Sequence, residues 1–360
     1  MKAVLLCAGQ GTRLRPLTYC RPKHLLPVAG RAVLDRVLTA LAEAGVDEAV
    51  FVVSPGETSL QEFVGDGSQW GIGAGFCAQP EPLGLAHALN CARGLVTADE
   101  RFLMYLGDDL LGDGVSEFAR AFAASDAAAS LIVKPVDDPR AFGVVVVEDG
   151  VVTRLVEKPQ NPPSDLAIVG VYGFGPQIWE AVDSIEPSAR GELEITDAID
   201  HLVATGKRVE CHVTDGFWAD AGSPNALLAA NAFFLARAEH RIDGCVDGDS
   251  VIEGDLVTIE EGARVTRSQI IGPCLVGAGS VVEGATIGPD VAVGEGCRLV
   301  DVTLSDSIID SGTAITEVDA ALRRCVIGRN VRVSGIGAAE QRQMSLLLAD
   351  DSVVGPANGE

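Results

Sequence analysis

Apolar and polar positions alternate in two distinct ways along the chain. Up to about Asp220, short apolar segments rich in β-branched residues alternate with amphipathic segments. The apolar segments predict β-strands at Ala3–Cys7, Glu48–Ser54, Phe102–Leu106, Ala129–Val133 and Val144–Val147. Apolar residues three and four positions apart predict helices at Val33–Ala44, Leu85–Gly94 and Pro224–Glu239. Strands that alternate with helices predict an α/β domain with a mixed, mostly parallel sheet covered on both faces.

From about Cys245 the pattern changes to short aliphatic–glycine pairs, several of them five or six residues apart. Repeats of this length predict a parallel β-helix, in which short strands stack coil upon coil. A β-sandwich is the alternative, although its turns recur every ~8–12 residues. The pattern fades after Asn330 and leaves the last thirty residues ambiguous. The pairs are Ile271-Gly272, Val276-Gly277, Ile287-Gly288, Val293-Gly294 and Ile327-Gly328.

Composition and charge limit the functions open to this chain. Its 360 residues fit two domains, and we expect an α/β domain at 1–240 and a β-helix with a C-terminal tail at 241–360. With 47% hydrophobic and 22% charged residues, the chain should bury substantial cores. A net charge of −24 argues against nucleic acid and anionic membranes as partners. A mononucleotide remains possible, because it needs only a few cations in one cleft.

Cysteine usage and hydropathy predict a cytoplasmic protein. The nine cysteines include no C-x-x-C pair and no zinc-site spacing, so we expect buried, reduced thiols. The apolar segment Ala3–Ala8 is too short for a signal peptide. No apolar segment approaches the ~18 residues that a membrane span requires.

The most informative motif is LLCAGQGTRLRP, followed by Arg21-Pro22-Lys23. A buried strand leads into a glycine-rich turn, whose backbone N–H groups can face an anion because no Cβ intervenes. Arg13 and Lys23 add positive charge beside it. The motif is neither Walker A nor the dinucleotide G-x-G-x-x-G, since Leu14 replaces the third glycine. A tight βα turn with two solvated cations is the alternative for the glycines alone.

Aspartates follow two further apolar segments. Tyr105–Leu106 leads to Gly107-Asp108-Asp109, and Phe217–Ala219 leads to Asp220. Strand ends of this kind form the ligand-binding edge of α/β sheets. Two carboxylates suit Mg²⁺, which also takes phosphate and water oxygens as ligands. Taken singly, each aspartate also fits a turn or a helix cap.

Three other segments carry candidate binding groups. Gln79 lies in the proline-rich loop QPEPLGLA, and its amide can both donate to and accept from a pyrimidine base. Lys158 and Arg190 form a second cationic pair that could bind a monophosphate. A solvent-facing glutamine and ordinary surface ion pairs are the alternatives.

Together these motifs resemble the sugar-1-phosphate nucleotidyltransferases, most closely the long-form glucose-1-phosphate thymidylyltransferases. The resemblance implies a Rossmann-like catalytic domain followed by a left-handed parallel β-helix of hexapeptide repeats, in a protein that forms homo-oligomers. It also implies Mg²⁺-assisted transfer of a nucleotidyl group, from dTTP to glucose 1-phosphate, with release of pyrophosphate. The motifs are AGQGTRLRPLTYCRPKHLLPVAG, QPEPLGLAHAL, YLGDDLL, FGVV, EKP, VGVYGF, RGELEITDAI and FWADAGSP, which cover residues 3 to about 225.

The resemblance also implies a role for each matching residue. Arg13 and Lys23 are the catalytic cations, and Asp108 and Asp220 hold Mg²⁺. The residues implied to bind the nucleotide are Gly9, Gln10, Gly11, Thr12, Gln79 and Gly84. The residues implied to bind the sugar phosphate are Gly143, Glu157, Lys158, Tyr172 and Arg190.

Three positions depart from the family pattern, and several alternatives stay open. Cys7 replaces a frequent glycine, Asp109 stands where asparagine is frequent, and His24 replaces glutamine or proline. Asp109 could compete for the metal, whereas His24 is expected to be a neutral neighbour. UTP, GTP or ATP could replace dTTP, with another sugar or a cyclitol phosphate as acceptor. A catalytically inactive regulatory subunit is a further alternative. An acyltransferase activity in the β-helix is disfavoured, because no histidine follows His240.

Overall fold

The computed structural model describes residues 1–148, 150–337 and 343–356. Contacts between Cα atoms divide the chain into two compact units. Unit 1 comprises Met1–Gly9 and Leu34–Trp218, and unit 2 comprises Gln10–Val33 and Ala219–Glu360. The glycine-rich loop therefore groups with the C-terminal part of the chain. The domain boundary at residue 240 stays a prediction.

The helices and strands of the first part agree with the predicted pattern to within a few residues at their ends. Short 3-10 helices lie at Thr12–Leu14, Leu17–Tyr19, Lys23–Leu25, Ser68–Trp70, Arg93–Leu95 and Pro139–Ala141. In chain order the other elements are β1 (Lys2–Leu6), β2 (Pro27–Val28), β3 (Arg31–Ala32), α1 (Val33–Glu43), β4 (Glu48–Val53), α2 (Ser59–Val64), β5 (Gly73–Ala78), α3 (Leu85–Cys91), β6 (Phe102–Leu106), β7 (Asp109–Leu111), α4 (Ser116–Ala124), β8 (Ala129–Pro135), β9 (Gly143–Glu148), β10 (Val151–Glu157), β11 (Leu166–Phe174), α5 (Gln177–Ser184), α6 (Ile195–Ala204), β12 (Val209–Val213) and β13 (Trp218–Asp220).

Unit 1 is built on a nine-stranded sheet in the order β5-β4-β1-β6-β11-β8-β12-β10-β9. Strand β1 pairs in parallel with both β4 and β6, whereas β11 runs antiparallel to β6 and β8. The sheet is therefore mixed, as predicted, but it is not mostly parallel, because strands β9 to β11 pair antiparallel with their neighbours. Because Leu6 and Leu106 are in register, Cys7 and Gly107 leave the sheet at the same edge. This edge is where a parallel sheet presents its ligand-binding loops.

Unit 2 contains one long helix and a parallel β-helix. The helix α7 (Pro224–Leu235) begins where Ser223 accepts a hydrogen bond from the Ala226 N–H, with proline at the first helical position. The strands are β14 (Arg241–Ile242), β15 (Cys245–Val246), β16 (Val251–Glu253), β17 (Val257–Ile259), β18 (Arg264–Thr266), β19 (Gln269–Ile271), β20 (Cys274–Val276), β21 (Val281–Glu283), β22 (Thr286–Ile287), β23 (Val291–Val293), β24 (Arg298–Val300), β25 (Thr303–Ser305), β26 (Ser307–Ile309), β27 (Ala314–Val318), β28 (Ala321–Arg323), β29 (Val326–Ile327), β30 (Arg332–Ile336), β31 (Gln343–Met344), β32 (Leu347–Leu348) and β33 (Val353–Val354).

These strands form three parallel sheets of six or seven strands, as the predicted β-helix requires. Inward-facing aliphatic side chains stack in register from coil to coil and form the core. One such column is Val265, Val282, Leu299, Ile315 and Val333. Burying each of these side chains contributes ~1.5–3 kcal/mol. The coils continue beyond Asn330 through β31 to β33, although the sequence repeat is no longer recognisable there. Residues 338–342 and 357–360, which belong to the ambiguous last thirty residues, lie outside the described residues.

The cysteines are less uniformly buried than predicted. All nine cysteines are free thiols, but Cys20 and Cys245 are exposed, which corrects the prediction that all are buried. Within the described ranges, no helix is long and apolar enough to cross a membrane. The cytoplasmic location stays a prediction.

Candidate active site

The glycine-rich loop of unit 2 concentrates positive charge. Residues 10–33 contain five cationic side chains and no carboxylate, in a chain whose net charge is −24. Gly11 adopts φ +60, and a Cβ there would lie 2.8 Å from the Thr18 methyl group. The Thr18 hydroxyl donates to the Gly11 carbonyl at 2.8 Å, which fixes this compact turn. Glycine is therefore required at position 11 for both backbone conformation and space.

Arg13 projects from this turn into solvent and pairs with a predicted metal ligand. Its side chain is 67% exposed, and Nη2 donates to Asp220 Oδ2 at 2.9 Å. A Cβ on Gly222 would lie 2.5 Å from the same Arg13 nitrogen, so this glycine leaves room for the guanidinium. An exposed arginine held by a carboxylate can exchange that partner for an incoming phosphate.

Lys23 opens a 3-10 helix in the same loop, and His24 follows it. His24 is completely buried, and neither of its ring nitrogens has a hydrogen-bond partner. Burial, and then the neighbouring Lys23 charge, lower the pKa of His24 to about 3. The imidazole of His24 is therefore neutral near pH 7.

In unit 1 the two consecutive aspartates have different surroundings. The Trp218 indole N–H donates to Asp109 Oδ1 at 2.6 Å, and the Tyr105 hydroxyl donates to the Asp109 carbonyl at 3.1 Å. A side chain at Gly170 would collide with the other Asp109 carboxylate oxygen. Asp109 is only 2% exposed and Asp108 8%. These contacts give Asp109 a structural task, and the assignment of the metal to Asp108 stays a prediction.

The structure brings Gln79 and Gly84 together. Gln79 Nε2 donates to the Gly84 carbonyl at 3.1 Å and lies 3.2 Å from His87 Nδ1. Gly84 has φ +103, and a Cβ there would collide with the backbone of Leu193. The Leu193 N–H donates to the Leu83 carbonyl at 2.7 Å, which ties this loop to the RGELEITDAI segment.

A second cluster gathers four of the residues predicted to bind the sugar phosphate. Glu157 Oε1 lies 3.2 Å from Lys158 Nζ and 3.3 Å from Arg190 Nη1. Its other oxygen accepts from the Thr196 hydroxyl at 3.2 Å. Gly143 pairs with Glu157 across β9 and β10, and a Cβ on Gly143 would lie 3.2 Å from Glu157 Oε2.

Tyr172 lies at the buried side of this cluster. Its ring stacks on Phe174 with centroids 5.7 Å apart, and the residue is 4% exposed. Burial, together with the Glu157 and Asp109 charges, raises the pKa of the Tyr172 hydroxyl. The hydroxyl therefore stays protonated and can donate a hydrogen bond.

Two glutamates that sequence reasoning missed also contact this cluster. Arg190 lies 2.8 Å from Glu192 and 3.7 Å from Glu194. Burial alone would lower the pKa of Arg190, but Glu194, Glu192 and Glu157 outweigh it and raise the pKa. The two glutamates stand in RGELEITDAI, two and four residues after Arg190, and no periodic pattern indicates them because residues 190–194 precede α6 and are not helical.

Within the part of the chain that the structure describes, no group of three or more His, Cys, Asp and Glu side chains is arranged to hold a metal ion. A Mg²⁺ ion that takes one or two protein carboxylates, with phosphate and water oxygens for the rest, fits this finding. Each unit offers one such carboxylate at a strand end, Asp108 after β6 and Asp220 in β13.

Comparison with protein families gives a match to the nucleotidyl transferase model over residues 2–237, about two thirds of the chain. The chain belongs to the nucleotidyl transferase family. The match ends just before β14, the first strand of the β-helix.

Curated relatives extend the likeness over nearly the whole chain. A glucose-1-phosphate thymidylyltransferase from Streptomyces antibioticus is 43% identical over 93% of this chain and 94% of its own length. The enzyme of the same name from Streptomyces griseus is 42% identical, with the same two coverages. These alignments extend well past residue 237 and therefore include β-helical sequence.

A solved structure resembles part of this nucleotidyl transferase. It is a crystal structure from Bacillus anthracis, provisionally assigned as a glucose-1-phosphate thymidylyltransferase and containing sucrose. It superimposes with a TM-score of 0.60 at 30% identity, over 94% of its own chain and 64% of this one. About a third of this chain thus has no counterpart in it.

Proposed function

We propose that this chain is a glucose-1-phosphate thymidylyltransferase, which joins dTTP and glucose 1-phosphate into dTDP-glucose and pyrophosphate. The observation that carries the proposal is the acid-free loop of residues 10–33, with the exposed Arg13 held against Asp220 at 2.9 Å. A cationic loop beside a carboxylate suits a nucleoside triphosphate with its metal. The full-length likeness to the two Streptomyces enzymes supports the choice of substrates.

The proposal assigns the triphosphate and its metal to the glycine-rich loop and two aspartates. The backbone of Gly9, Gln10, Gly11 and Thr12 faces the phosphates, while Arg13 and Lys23 neutralise the charge that develops on them. Asp108 and Asp220 would hold Mg²⁺, which would supply further charge neutralisation. Arg13, which contacts Asp220 Oδ2, can turn to a phosphate of the incoming nucleotide.

The base and the acceptor are bound by unit 1. Gln79 and Gly84 read the edge of the pyrimidine, and the turn at Gly84 is fixed by its contact with Leu193. Lys158 and Arg190 bind the phosphate of the sugar. Gly143, Glu157 and Tyr172 contact the sugar hydroxyls, and Glu157 and Tyr172 supply a hydrogen-bond acceptor and a donor respectively.

The reaction needs positioning rather than a general base. A phosphate oxygen of glucose 1-phosphate forms a bond to the α-phosphorus of dTTP, and the bond from that phosphorus to the bridging α–β oxygen breaks. The attacking oxygen is already anionic near pH 7, so no proton has to be moved. Pyrophosphate leaves with the negative charge, which Arg13 and Lys23 stabilise.

The substrate test is pyrophosphate release with Mg²⁺, crossing dTTP, UTP, GTP, ATP and CTP against glucose, galactose and mannose 1-phosphates. The proposal predicts that dTTP with glucose 1-phosphate gives the highest kcat/KM. A preference for another pair would keep the reaction and correct the substrates. Silence of the folded protein across the grid would contradict the proposed substrates and would favour a cyclitol phosphate acceptor or a regulatory subunit. Homo-oligomerisation stays a prediction.

A further inference from the structure

Arg21 lies two residues before Lys23, but its side chain turns away from solvent. Arg21 is 7% exposed, and its Nη2 donates to Asp310 and, at 3.3 Å, to Asp350. Both aspartates belong to the β-helix, within the same compact unit as the loop. The remaining Arg21 nitrogens, Nε and Nη1, are buried without a hydrogen-bond partner. A guanidinium in such surroundings depends on its carboxylates, because an unpaired buried charge is strongly unfavourable.

Asp310 lies at a corner of the β-helix where both neighbouring coils have glycine. In the sheet β14-β17-β20-β23-β26-β29-β32, the residues that directly follow the strands are Asp243, Glu260, Gly277, Gly294, Asp310, Gly328 and Ala349. A Cβ on Gly294 would lie 2.6 Å from the Ser311 nitrogen, so this corner has little space for side chains. Asp310 is nevertheless placed there, 5% exposed, and it faces Arg21. Within the β-helix, Asp310 Oδ1 accepts from the Ser311 N–H at 2.7 Å and Oδ2 lies 3.6 Å from Arg329 Nε, so this carboxylate serves the coil as well as Arg21 of the loop.

The far end of the loop is also attached to the β-helix and to α7. The Ala29 N–H donates to Asn231 Oδ1 at 2.9 Å, and the Asn231 amide donates to the Asp290 carbonyl at 3.0 Å. Asn231 is completely buried in α7. A Cβ on Gly30 would collide with Leu275, an outward-facing residue of the β-helix. The loop of residues 10–33, called the phosphate loop below, is therefore held at both Arg21 and Ala29–Gly30. Lys23 lies between these two points of attachment.

We propose that Arg21 is a positioning residue, and that the β-helix uses Asp310 and Asp350 to hold the phosphate loop in its working conformation. The inference rests on the proposed function, since it assigns Lys23 and Arg13 to the triphosphate. In this proposal the β-helix supports catalysis by holding the loop that carries Arg13 and Lys23, although it supplies no reacting group.

The decisive variant is Asp310→Gly, which gives this coil the glycine of its two neighbouring coils and should leave it folded. Arg21 then keeps Asp350 at 3.3 Å but loses its nearer carboxylate, so the guanidinium moves outward and the loop loosens. We expect kcat/KM for the nucleoside triphosphate to fall about 10- to 100-fold, because small displacements of reacting groups have effects of this size. The KM for glucose 1-phosphate should stay within about twofold, since its binding groups lie in unit 1. Asp306→Gly, which removes the Arg324–Asp306 ion pair from the same coil, is the matched control.

Hydrogen–deuterium exchange of residues 10–33 in the intact protein gives a readout that needs no activity. Asp310→Gly should accelerate exchange in this loop and leave the β-strands of the β-helix protected, whereas Asp306→Gly should change neither. Unchanged loop exchange, or faster exchange with unaltered kcat/KM, would overturn the inference. A parallel loss for both substrates together with loss of β-strand protection would also overturn it, because Asp310 would then be purely structural. If the wild-type protein released no pyrophosphate at all, the proposed function would fail, while the exchange experiment would still decide whether Asp310 anchors the loop.

Discussion

The two units position their candidate residues by different means. In unit 1 the sheet does so directly: Asp108 follows β6, and Glu157 ends β10 opposite Gly143. In unit 2 the sequence around Arg13 and Lys23 forms only short 3-10 turns, and buried long-range contacts from Arg21 and Ala29 hold the loop. A residue at a strand end is positioned by the strand that precedes it in sequence. The loop of residues 10–33 is instead held by residues that lie far along the chain.

The largest expected effect tests the strand end in unit 1. Asp108→Asn should abolish turnover, a loss of about 10³-fold or more, because it removes a carboxylate assigned to the metal. The fold should stay intact by circular dichroism and thermal unfolding. Steady-state pyrophosphate release measures the loss.

Asp109→Asn is the matched control for that prediction. The substitution replaces the charged acceptor of the Trp218 indole N–H by a neutral one. Because a hydrogen bond to a charged group contributes ~1.5–3 kcal/mol to stability, we expect a lower unfolding temperature. Turnover should be largely retained. An inactive Asp109→Asn beside an active Asp108→Asn would reverse the metal assignment.

The next effect tests the loop of unit 2. Arg13→Ala should lower kcat about 100-fold, which corresponds to ~3 kcal/mol of transition-state stabilisation. Arg15→Ala is the control, because Arg15 stacks over the Tyr19 ring at 5.0 Å and has no assigned role. Equal losses in the two variants would mean that the total charge of the loop matters, rather than the position of Arg13.

A smaller effect separates the two substrates. Arg190→Met should raise the KM for glucose 1-phosphate about tenfold or more and leave the KM for dTTP unchanged, because a lost hydrogen bond to a charged group is worth ~1.5–3 kcal/mol. Arg93→Met, which removes the exposed Arg93–Asp183 pair at 2.8 Å, should change neither KM. A parallel rise in both KM values would remove Arg190 from the sugar-phosphate site.

The smallest effect concerns pH and the buried His24. Its folded pKa, about 3, lies below the unfolded value of 6.5, so the unfolded chain binds an extra proton between these pH values. Stability is therefore lost as pH falls below 6.5, by about 2 kcal/mol at pH 5. His24→Leu should flatten this dependence in urea unfolding between pH 5 and 7.5, whereas the half-buried His201→Leu should not. An unchanged slope in His24→Leu would show that other groups cause the acid sensitivity.

The sequence predicted unit 1 better than unit 2 for a physical reason. Periodicity identifies β1, β6 and the strand ends because each depends on neighbouring residues, and the aliphatic–glycine pairs reveal the β-helix in the same way. The attachment of Arg21 was missed because its carboxylates lie about 290 and 330 residues further along the chain, beyond any local pattern. Glu192 and Glu194 were missed because carboxylates close to an arginine in sequence are common, and the burial of Glu194 depends on the fold.

The central claim is that the α-phosphoryl group, with its nucleoside, moves to the sugar phosphate. The most direct measurement uses dTTP labelled at either the α- or the γ-phosphate, with glucose 1-phosphate, Mg²⁺ and the purified chain. The account predicts that α-label appears in dTDP-glucose and that γ-label appears only in pyrophosphate. Transfer of γ-label to the sugar phosphate, or its release as inorganic phosphate, would contradict the account.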